Sequence, residues 1–305
     1  MEEIEASNVE DIISNSYELK ELASEFEIEK EIAEESNEKS KLDFHNNLEF
    51  KNYNGEDKVI STTQILKKME LTGYKIKTYY TGYTRFDAIC GGFDEGELNV
   101  LSGITGNGKT LLARSLTYKF ALEIPCLWFS YEETNEALLN KFHRNNTPVF
   151  YIPKKNVASQ IKWIENRIIE SKIKYGCKIV FIDHLHFLIP MKYVINTSVL
   201  IGGIMRELKS ICVRNNMVIF LICHTQKVAQ MDLPDLSQLR DSSFIAQESD
   251  KVMFIKRHGK EEEDRLIFDN NNSVYILKNR KNGNLGTVSF FYNYEEGILN
   301  ESEQI

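Results

Sequence analysis

An eight-residue run in the sequence has the spacing of a phosphate-binding loop, GxxxxGK[ST]; its members are Gly103, Ile104, Thr105, Gly106, Asn107, Gly108, Lys109 and Thr110. Glycines at these positions let successive backbone N–H groups turn inward around phosphate oxygens. The spacing predicts that Lys109 neutralises the β- and γ-phosphates and that the Thr110 hydroxyl holds Mg²⁺. An apolar run, 99–101, precedes the loop, and Leu111 opens a helical pattern whose positive end faces the phosphates. With Leu111 included, this run is the predicted site for a nucleoside triphosphate and Mg²⁺.

Carboxylates follow two further apolar runs. Asp183 ends the run 179–182, which places its side chain at the edge of a sheet where it can bind Mg²⁺ through water. Glu132 and Glu133 follow the run that ends at Phe129 and Ser130. One of the two glutamates can activate a water in line with the γ-phosphate. Alternatively, both belong to the first turn of the next helix, where the helix dipole favours acids.

Three histidines lie after the same kind of apolar run. His224 ends the run 219–223, where its ring can donate a hydrogen bond to a γ-phosphate and report the loss of that phosphate. A purely structural role is the alternative for His224. His184 and His186 directly follow Asp183, but their HxH spacing lacks a third metal ligand. We therefore assign His184 and His186 to packing and hydrogen bonding.

From about residue 79 the sequence alternates strand-like and helix-like segments. The predicted strands are 98–101, 125–129, 178–182, 217–223 and 251–255, and the predicted helices are 109–122, 133–144, 157–174 and 198–215. Short, nearly continuous apolar strands separated by helices predict a parallel sheet that is covered on both faces. The last two runs, 273–278 and 287–292, flank Asn282–Asn284 and predict an antiparallel hairpin at the end of the chain. The predicted fold class is α/β, with a mostly parallel sheet and a C-terminal antiparallel hairpin.

Charge divides the 305-residue chain unevenly. Residues 1–60 hold 18 acidic residues and 6 lysines, a net charge of −12, so the other 245 residues hold 27 acidic and 31 basic residues, a net charge of +4. A mildly basic domain permits a nucleic-acid partner without demanding one. We predict an acidic, helical or partly disordered segment over 1–60, a linker helix within 61–78, and the main domain over 79–305.

The composition also limits the compartment. Five cysteines without CxxC spacing predict reduced thiols in the cytoplasm, which is the host cytoplasm if the protein is encoded by a phage. The longest apolar runs are too short to cross a bilayer, so no membrane partner is expected.

Taken in order, these motifs resemble the ATPase domain of DnaB-type replicative helicases, which are superfamily 4 helicases with a RecA-like P-loop NTPase fold. The resemblance covers roughly residues 79–300 and includes the approach to the phosphate loop, 81–87 with 91–93 and 96–98. It implies that Glu132 is the catalytic base, that Asp183 is the Walker B residue, and that His224 stands where the family carries its γ-phosphate sensor.

Two later segments extend the resemblance. The segment 235–250 is similar to the family's loop that follows the backbone of single-stranded DNA, which implies that Arg240, Asp241 and Ser243 lie near DNA. Ser243 departs from the glycine that is usual there. The segment Lys278–Gly283 resembles the K-x-R–N-G element of the family. This match implies that Lys278 and Arg280 reach the γ-phosphate held by the next subunit.

The resemblance implies an ATP-dependent helicase that forms a ring, expected to be a hexamer, and that translocates on single-stranded DNA during replication. The acidic residues 1–60 stand where these helicases carry a helical domain, and they offer a contact for a replication partner. Two alternatives stay open. One is a RecA- or RadA-like recombination ATPase, and the other is an ATP-binding adaptor that does not unwind DNA.

Overall fold

The computed structural model describes residues 30, 34, 51–142, 147–157, 160–189, 197–225, 233–239, 243–262 and 265–302. The chain divides into two compact units, Met1–Lys75 and Ile76–Ile305. None of the helices in these described ranges is both long and apolar enough to cross a membrane.

Helix α1 (Thr62–Thr72) belongs to the first unit. Ser61 begins it with a capping box, in which the Ser61 side chain accepts from the Gln64 N–H and the Gln64 side chain accepts from the Ser61 N–H. Gly73 ends it in the left-handed conformation, at φ 63°. The sequence predicted a linker helix within 61–78. All residues of α1 are exposed, including the apolar side chains of Ile65 and Leu66.

The second unit alternates strands and helices from Thr78 onward. Its helices are α2 (Thr84–Cys90), α3 (Lys109–Phe120), α4 (Asn135–Asn140), α5 (Ile161–Tyr175), α6 (Thr197–Asn215) and α7 (Ser243–Glu248), with 3₁₀ turns at Leu185–Leu188 and Leu236–Gln238. Its strands are β1 (Thr78–Tyr79), β2 (Phe93–Asp94), β3 (Leu98–Gly103), β4 (Cys126–Ser130), β5 (Ile179–Asp183), β6 (Val218–His224), β7 (Lys251–Glu262), β8 (Arg265–Asn279), β9 (Gly286–Asn293) and β10 (Ile298–Glu301).

Eight strands of the described residues form one sheet in the order β10-β9-β8-β7-β3-β6-β5-β4. The five strands from β7 to β4 are parallel, and β8, β9 and β10 are added antiparallel. Strands β1 and β2 pair separately as a short antiparallel ladder. The predicted α/β class, with a mostly parallel sheet that ends in antiparallel strands, is confirmed.

Alternate residues of each central strand enter different apolar clusters, one on each face of the sheet. On β5, Ile179 and Phe181 pack in one cluster, and Val180 and Ile182 pack in the other. Phe181 also stacks on the ring of Trp128 in β4, at 5.0 Å between centroids. The alternation of side chains along a strand therefore gives both faces an apolar surface, which the helices cover.

Three predicted elements have clearly different lengths in the structure. Strand β7 continues to Glu262, and β8 begins at Arg265, so these strands form a hairpin much longer than the predicted runs 251–255 and 273–278. The helix predicted over 133–144 is only Asn135–Asn140. Thr134 caps it by accepting a hydrogen bond from the Ala137 N–H, so the glutamates at 132 and 133 precede the helix.

Candidate active site

The phosphate-binding loop joins the end of β3 to the start of α3, as the sequence predicted. Gly108 precedes the helix at φ 91°, a backbone conformation that favours glycine. Gly103 begins the loop against the neighbouring strand, where an added Cβ would lie 2.5 Å from the Ile255 carbonyl oxygen. The loop is fixed further by Asn107, whose Oδ1 accepts a hydrogen bond of 2.8 Å from the Arg257 N–H of β7. Strand β7 therefore holds the phosphate-binding loop in place.

Lys109 folds over this loop. Its ammonium donates hydrogen bonds to the carbonyl oxygens of Gly103 at 2.9 Å and Ile104 at 3.2 Å. Burial lowers the pKa of Lys109, and the nearby carboxylates of Asp183 and Glu132 oppose that shift. An ammonium that is largely removed from water and held by neutral carbonyls is suited to exchange those partners for phosphate oxygens.

Thr110 and Asp183 meet at the sheet edge, with the Thr110 hydroxyl donating to Asp183 Oδ2 at 2.9 Å. The second carboxylate oxygen, Oδ1, is buried and has no hydrogen-bond partner among the described residues. Burial raises the pKa of Asp183 to about 6, and the charges of Glu132 and Glu133 add to the rise. A hydroxyl beside a carboxylate oxygen that lacks a partner is a suitable donor set for a hydrated Mg²⁺.

Glu132 and Glu133 have different surroundings. Glu133 forms an ion pair of 2.6 Å with Lys141. The Glu132 side chain is exposed, and its carboxylate lies within 4.8 Å of ring nitrogens of His184 and His224. Of these two glutamates, Glu132 is the one that lies beside the histidines at the ends of the strands.

The parallel strands bring the histidines to the phosphate loop. His224 is opposite Gly103 in the register of β6 with β3, and its ring lies 4.2 Å from that of His184, between centroids. Burial lowers the pKa of His184 to about 3, with contributions from His224 and His186. His184 also begins the 3₁₀ turn by accepting a hydrogen bond from the His186 N–H. Sequence reasoning assigned His184 to packing and missed its position beside Glu132.

Lys278 and Arg280 lie at the other end of the parallel strands from the phosphate loop. The Arg280 N–H donates to the Asp250 carbonyl oxygen, and the Asp250 N–H donates to that of Leu98, the first residue of β3. The phosphate loop begins at Gly103, at the far end of this strand, and five extended residues place Gly103 about 16 Å from Leu98. The two basic residues are therefore not brought to the phosphate loop of their own chain.

Contacts within the chain hold both side chains at that end of the strands. The Lys278 ammonium donates to the carbonyl oxygens of Ala246, Gln247 and Ser249 at the end of α7. The Arg280 guanidinium, which is 53% exposed, donates to the Gln247 carbonyl oxygen at 2.6 Å. The structure thus presents a fixed cationic pair at a surface remote from the chain's own loop.

Most of the second unit matches a known protein family. Residues 79–151 and 144–298 match the family described as DnaB-like helicase C terminal domain. The chain belongs to this family. The RecA-like ATPase fold and the helicase resemblance inferred from the motifs are thereby confirmed.

Two curated relatives are named replicative DNA helicase DnaB. The protein of Treponema pallidum is 24% identical over 242 residues, which is 68% of this chain and 52% of the relative. That of Mycoplasma genitalium is 24% identical over 266 residues, which is 73% of this chain and 56% of the relative. The chain thus spans about half the length of the curated DnaB proteins it matches.

Solved structures show the same fold. A solved ATPase domain superposes with a TM-score of 0.64 at 20% identity, covering 79% of this chain and 97% of that domain. A DnaB-like replicative helicase, solved in a study of its interactions with primase, superposes with a TM-score of 0.65 at 20% identity. That match covers 80% of this chain and 69% of the helicase.

The predicted DNA-binding residues of this DnaB-like domain are only partly described. Arg240 and Asp241 lie outside the described residues. Ser243 is exposed and is the first residue of α7. Leu239, shortly before this gap, forms an antiparallel bridge with Thr225 just after β6. The segment therefore returns to the sheet edge that carries His224.

Proposed function

We propose that the chain is the ATP-hydrolysing motor of a ring-forming replicative DNA helicase that translocates on single-stranded DNA. Membership of the DnaB-like family supports a replicative DNA helicase. The observation that carries the mechanism is the distance between the phosphate loop and the basic pair within one chain. Lys109 lies at one end of the parallel strands, and Lys278 and Arg280 lie at the other end. A recombination ATPase and a non-unwinding adaptor are not favoured by the family or by its curated members.

ATP is the proposed cofactor, bound with Mg²⁺ by the loop 103–111. Thr110 and Asp183 would hold the ion, the latter through water, because their oxygens are adjacent and Asp183 Oδ1 lacks another partner among the described residues. When bound, Mg²⁺ neutralises negative charge on the phosphates. Lys109 adds a second positive charge at the β- and γ-phosphates.

Hydrolysis then needs a water placed in line with the γ-phosphate. Glu132 orients this water and takes its proton, since its carboxylate faces the site and that of Glu133 is engaged by Lys141. His224 donates a hydrogen bond to the γ-phosphate from the strand beside the loop, and that bond is lost once the phosphate leaves.

Lys278 and Arg280 are proposed to act on the nucleotide of a neighbouring copy. Phosphoryl transfer spreads negative charge over the equatorial oxygens, and an arginine supplied in trans accelerates such reactions by about 10³–10⁵-fold. Each chain carries its phosphate loop and its basic pair at opposite ends of the parallel strands. Head-to-tail contacts would therefore complete one ATP site per interface. Such contacts form a closed ring when the rotation between copies closes, and we propose a hexamer.

DNA is proposed to pass along Arg240, Asp241 and Ser243 and to be held mainly through its phosphates. Binding of this kind is independent of sequence and weakens with added salt. The segment 61–78, with the exposed helix α1, is proposed as the linker to a neighbour, and residues 1–60 as a contact for a replication partner. The RecA-like domain is taken as 79–305. A helicase that acts on replicating DNA is proposed to lie in the cytoplasm of the cell or, for a phage protein, of its host.

Strand displacement on a forked duplex tests this function directly. The wild-type chain is expected to unwind the fork with ATP and Mg²⁺, whereas Lys109→Ala, which removes the phosphate-binding ammonium, is expected to lose both unwinding and hydrolysis. Mass measured in solution should rise to that of a ring with ATP and single-stranded DNA. DNA-stimulated hydrolysis without displacement would point to a recombination ATPase, and binding of ATP without turnover would point to an adaptor.

A further inference from the structure

Three side chains with metal-binding atoms converge at the sheet edge beside the phosphate loop. Glu132, His184 and His224 each place one ligand atom within 4.8 Å of the other two. His184 is buried, His224 is partly buried, and Glu132 faces solvent. The two histidines are therefore wholly or partly covered by protein, and solvent reaches the group from the side of Glu132.

The backbone fixes where these three residues lie. Glu132 follows β4, His184 follows β5, and His224 ends β6, and these are adjacent strands of the parallel sheet. Ser130 is opposite Asp183 in the register, which places the residues after each strand side by side. Ligands within two residues of the ends of three packed strands are more rigidly placed than ligands in a long loop.

We propose that Glu132, His184 and His224 form a binding site for a divalent transition metal of the zinc class. Two imidazole nitrogens and one carboxylate are a common Zn²⁺ ligand set that leaves a coordination position open. Mg²⁺ prefers oxygen ligands, so this site is chemically distinct from the oxygens of Thr110 and Asp183. Glu132 and His224 supply the further ligands that the HxH spacing alone did not offer to His184.

The hydrogen bond that the His184 ring accepts does not block the site. His184 Nδ1 accepts from the His186 N–H at 3.3 Å, which is a long hydrogen bond. A neutral imidazole has one lone pair for a partner, so a bound metal replaces that bond whichever nitrogen coordinates. The ligand atoms then move from within 4.8 Å toward a shared ion by rotation of the side chains.

Occupation of this site would stop the motor, an inference that rests on the proposed function. Glu132 is the proposed base and His224 the proposed phosphate sensor, and a carboxylate that is bound to a metal is a much weaker base toward water. Zn²⁺ is then an inhibitor of hydrolysis, even though Mg²⁺ supports it.

Binding is tested first without nucleotide, because ATP itself binds Zn²⁺. The full chain is titrated with Zn²⁺ by calorimetry and with Co²⁺ by visible absorption. We expect one high-affinity ion per chain, and visible Co²⁺ bands without the charge-transfer band of a thiolate ligand, because the five cysteines are buried. His184→Asn, His224→Gln and Glu132→Gln are each expected to weaken binding about tenfold or more.

The variants are chosen to keep the fold. An asparagine oxygen at 184 can still accept the His186 N–H, and His224→Gln is an independent variant if His184→Asn does not fold. His258→Gln is the matched control, since His258 bonds Ser273 on the long hairpin and is outside the cluster. Binding that is unchanged in all three cluster variants, or absent from the wild-type chain, would overturn the site.

Hydrolysis is measured second, at buffered free Zn²⁺ and excess Mg²⁺, as the ratio of rates with and without Zn²⁺ for the wild type, His258→Gln and His184→Asn. Wild type and His258→Gln should be inhibited equally and recover on addition of a chelator, and His184→Asn should need at least about tenfold more Zn²⁺. Full wild-type activity with the site occupied would overturn the inhibitory role. A chain that binds Zn²⁺ through these residues but never hydrolyses ATP would instead count against the proposed function and leave the site standing.

Discussion

The Glu133 carboxylate is engaged by the Lys141 ammonium at 2.6 Å, and the neighbouring Glu132 carboxylate lies beside the rings of His184 and His224. Both residues follow β4 and precede the capped start of α4, so the backbone offers each of them to the same region. Their different partners decide which one is available to a water molecule. The two side chains are of the same type, so their contacts decide which one can act as the base.

Glu132→Gln is expected to lower kcat for ATP hydrolysis by at least about 100-fold, because the amide cannot accept a proton from water. Nucleotide affinity should stay near that of the wild type, since the loop and Lys109 are unchanged. Glu133→Gln should keep most of the rate. Steady-state hydrolysis and equilibrium nucleotide binding measure both effects. A larger loss of kcat in Glu133→Gln than in Glu132→Gln would reverse the assignment.

Much of this residue-level picture could be predicted from the sequence. The loop 103–110 and the strand-end positions of Asp183 and His224 follow from motif spacing and apolar runs. The ion pair between Glu133 and Lys141 could not be predicted, because it depends on where α4 ends. The proximity of His184 to Glu132 depends in turn on the order of the strands, which the sequence does not state.

Among the elements, helices α5 and α6 are joined by a cluster of charged groups around Glu165. The Glu165 carboxylate accepts hydrogen bonds from Arg214 and Asn215 of α6 and, at 2.7 Å, from Lys162 of its own helix. The Glu165 side chain is only 4% exposed, and these bonds, that from Arg214 first, lower its pKa to about 2. The cluster fixes one helix against the other on the face of the sheet away from Phe181.

Glu165→Gln is expected to lower the free energy of unfolding by about 1–2 kcal/mol at pH 7. A depressed pKa means that this contribution is complete above the ordinary glutamate pKa of 4.5 and is lost as the pH falls toward 2. The difference between variant and wild type should therefore shrink from about pH 5 toward pH 3 in denaturant titrations. Glu170→Gln, on the solvent side of α5, is the control and should show a smaller change. A difference that is constant with pH would contradict the charge-based explanation.

The elements themselves were predicted unevenly. The central strands were predicted because parallel strands buried on both faces are apolar along their whole length, as 179–182 is. The outer half of the β7–β8 hairpin was missed because Asn270–Asn272 are of a residue type that is rare in strands. Pairing of Asn272 with Arg257 on one side and Phe290 on the other places it in the sheet regardless of propensity.

For the whole molecule, the proposed mechanism depends on the placement of the phosphate loop and the basic pair at opposite ends of the parallel strands. Two defective chains should then repair each other in the proposed ring. Arg280→Ala and Glu132→Gln are each expected to be nearly inactive alone. In an equal mixture that assembles at random, about a quarter of the head-to-tail interfaces join an intact pocket to an intact arginine. Hydrolysis measured across mixing ratios should peak near the equal mixture.

The control for this experiment combines two defects of the same pocket. Lys109→Ala mixed with Glu132→Gln leaves every pocket defective, so no ratio should restore hydrolysis. Lys281→Ala controls for loss of charge in the turn, because Lys281 is bound to Asp94 of its own chain at 2.6 Å. No recovery in the Arg280→Ala mixture would contradict sites shared between chains, and recovery in the Lys109→Ala mixture would contradict the placement of Lys109 and Glu132 in the same pocket.

The distance between Lys109 and Arg280 within one chain has an arithmetical consequence for the proposed assembly. A closed circle of n copies has n completed sites, whereas an open arc of the same n copies has n − 1, because its first and last members each keep an unmatched half. Closure therefore adds one working site without adding a protomer. The rate per protomer would then report whether the circle is shut, and an opening made to admit a DNA strand would register as the loss of a single site.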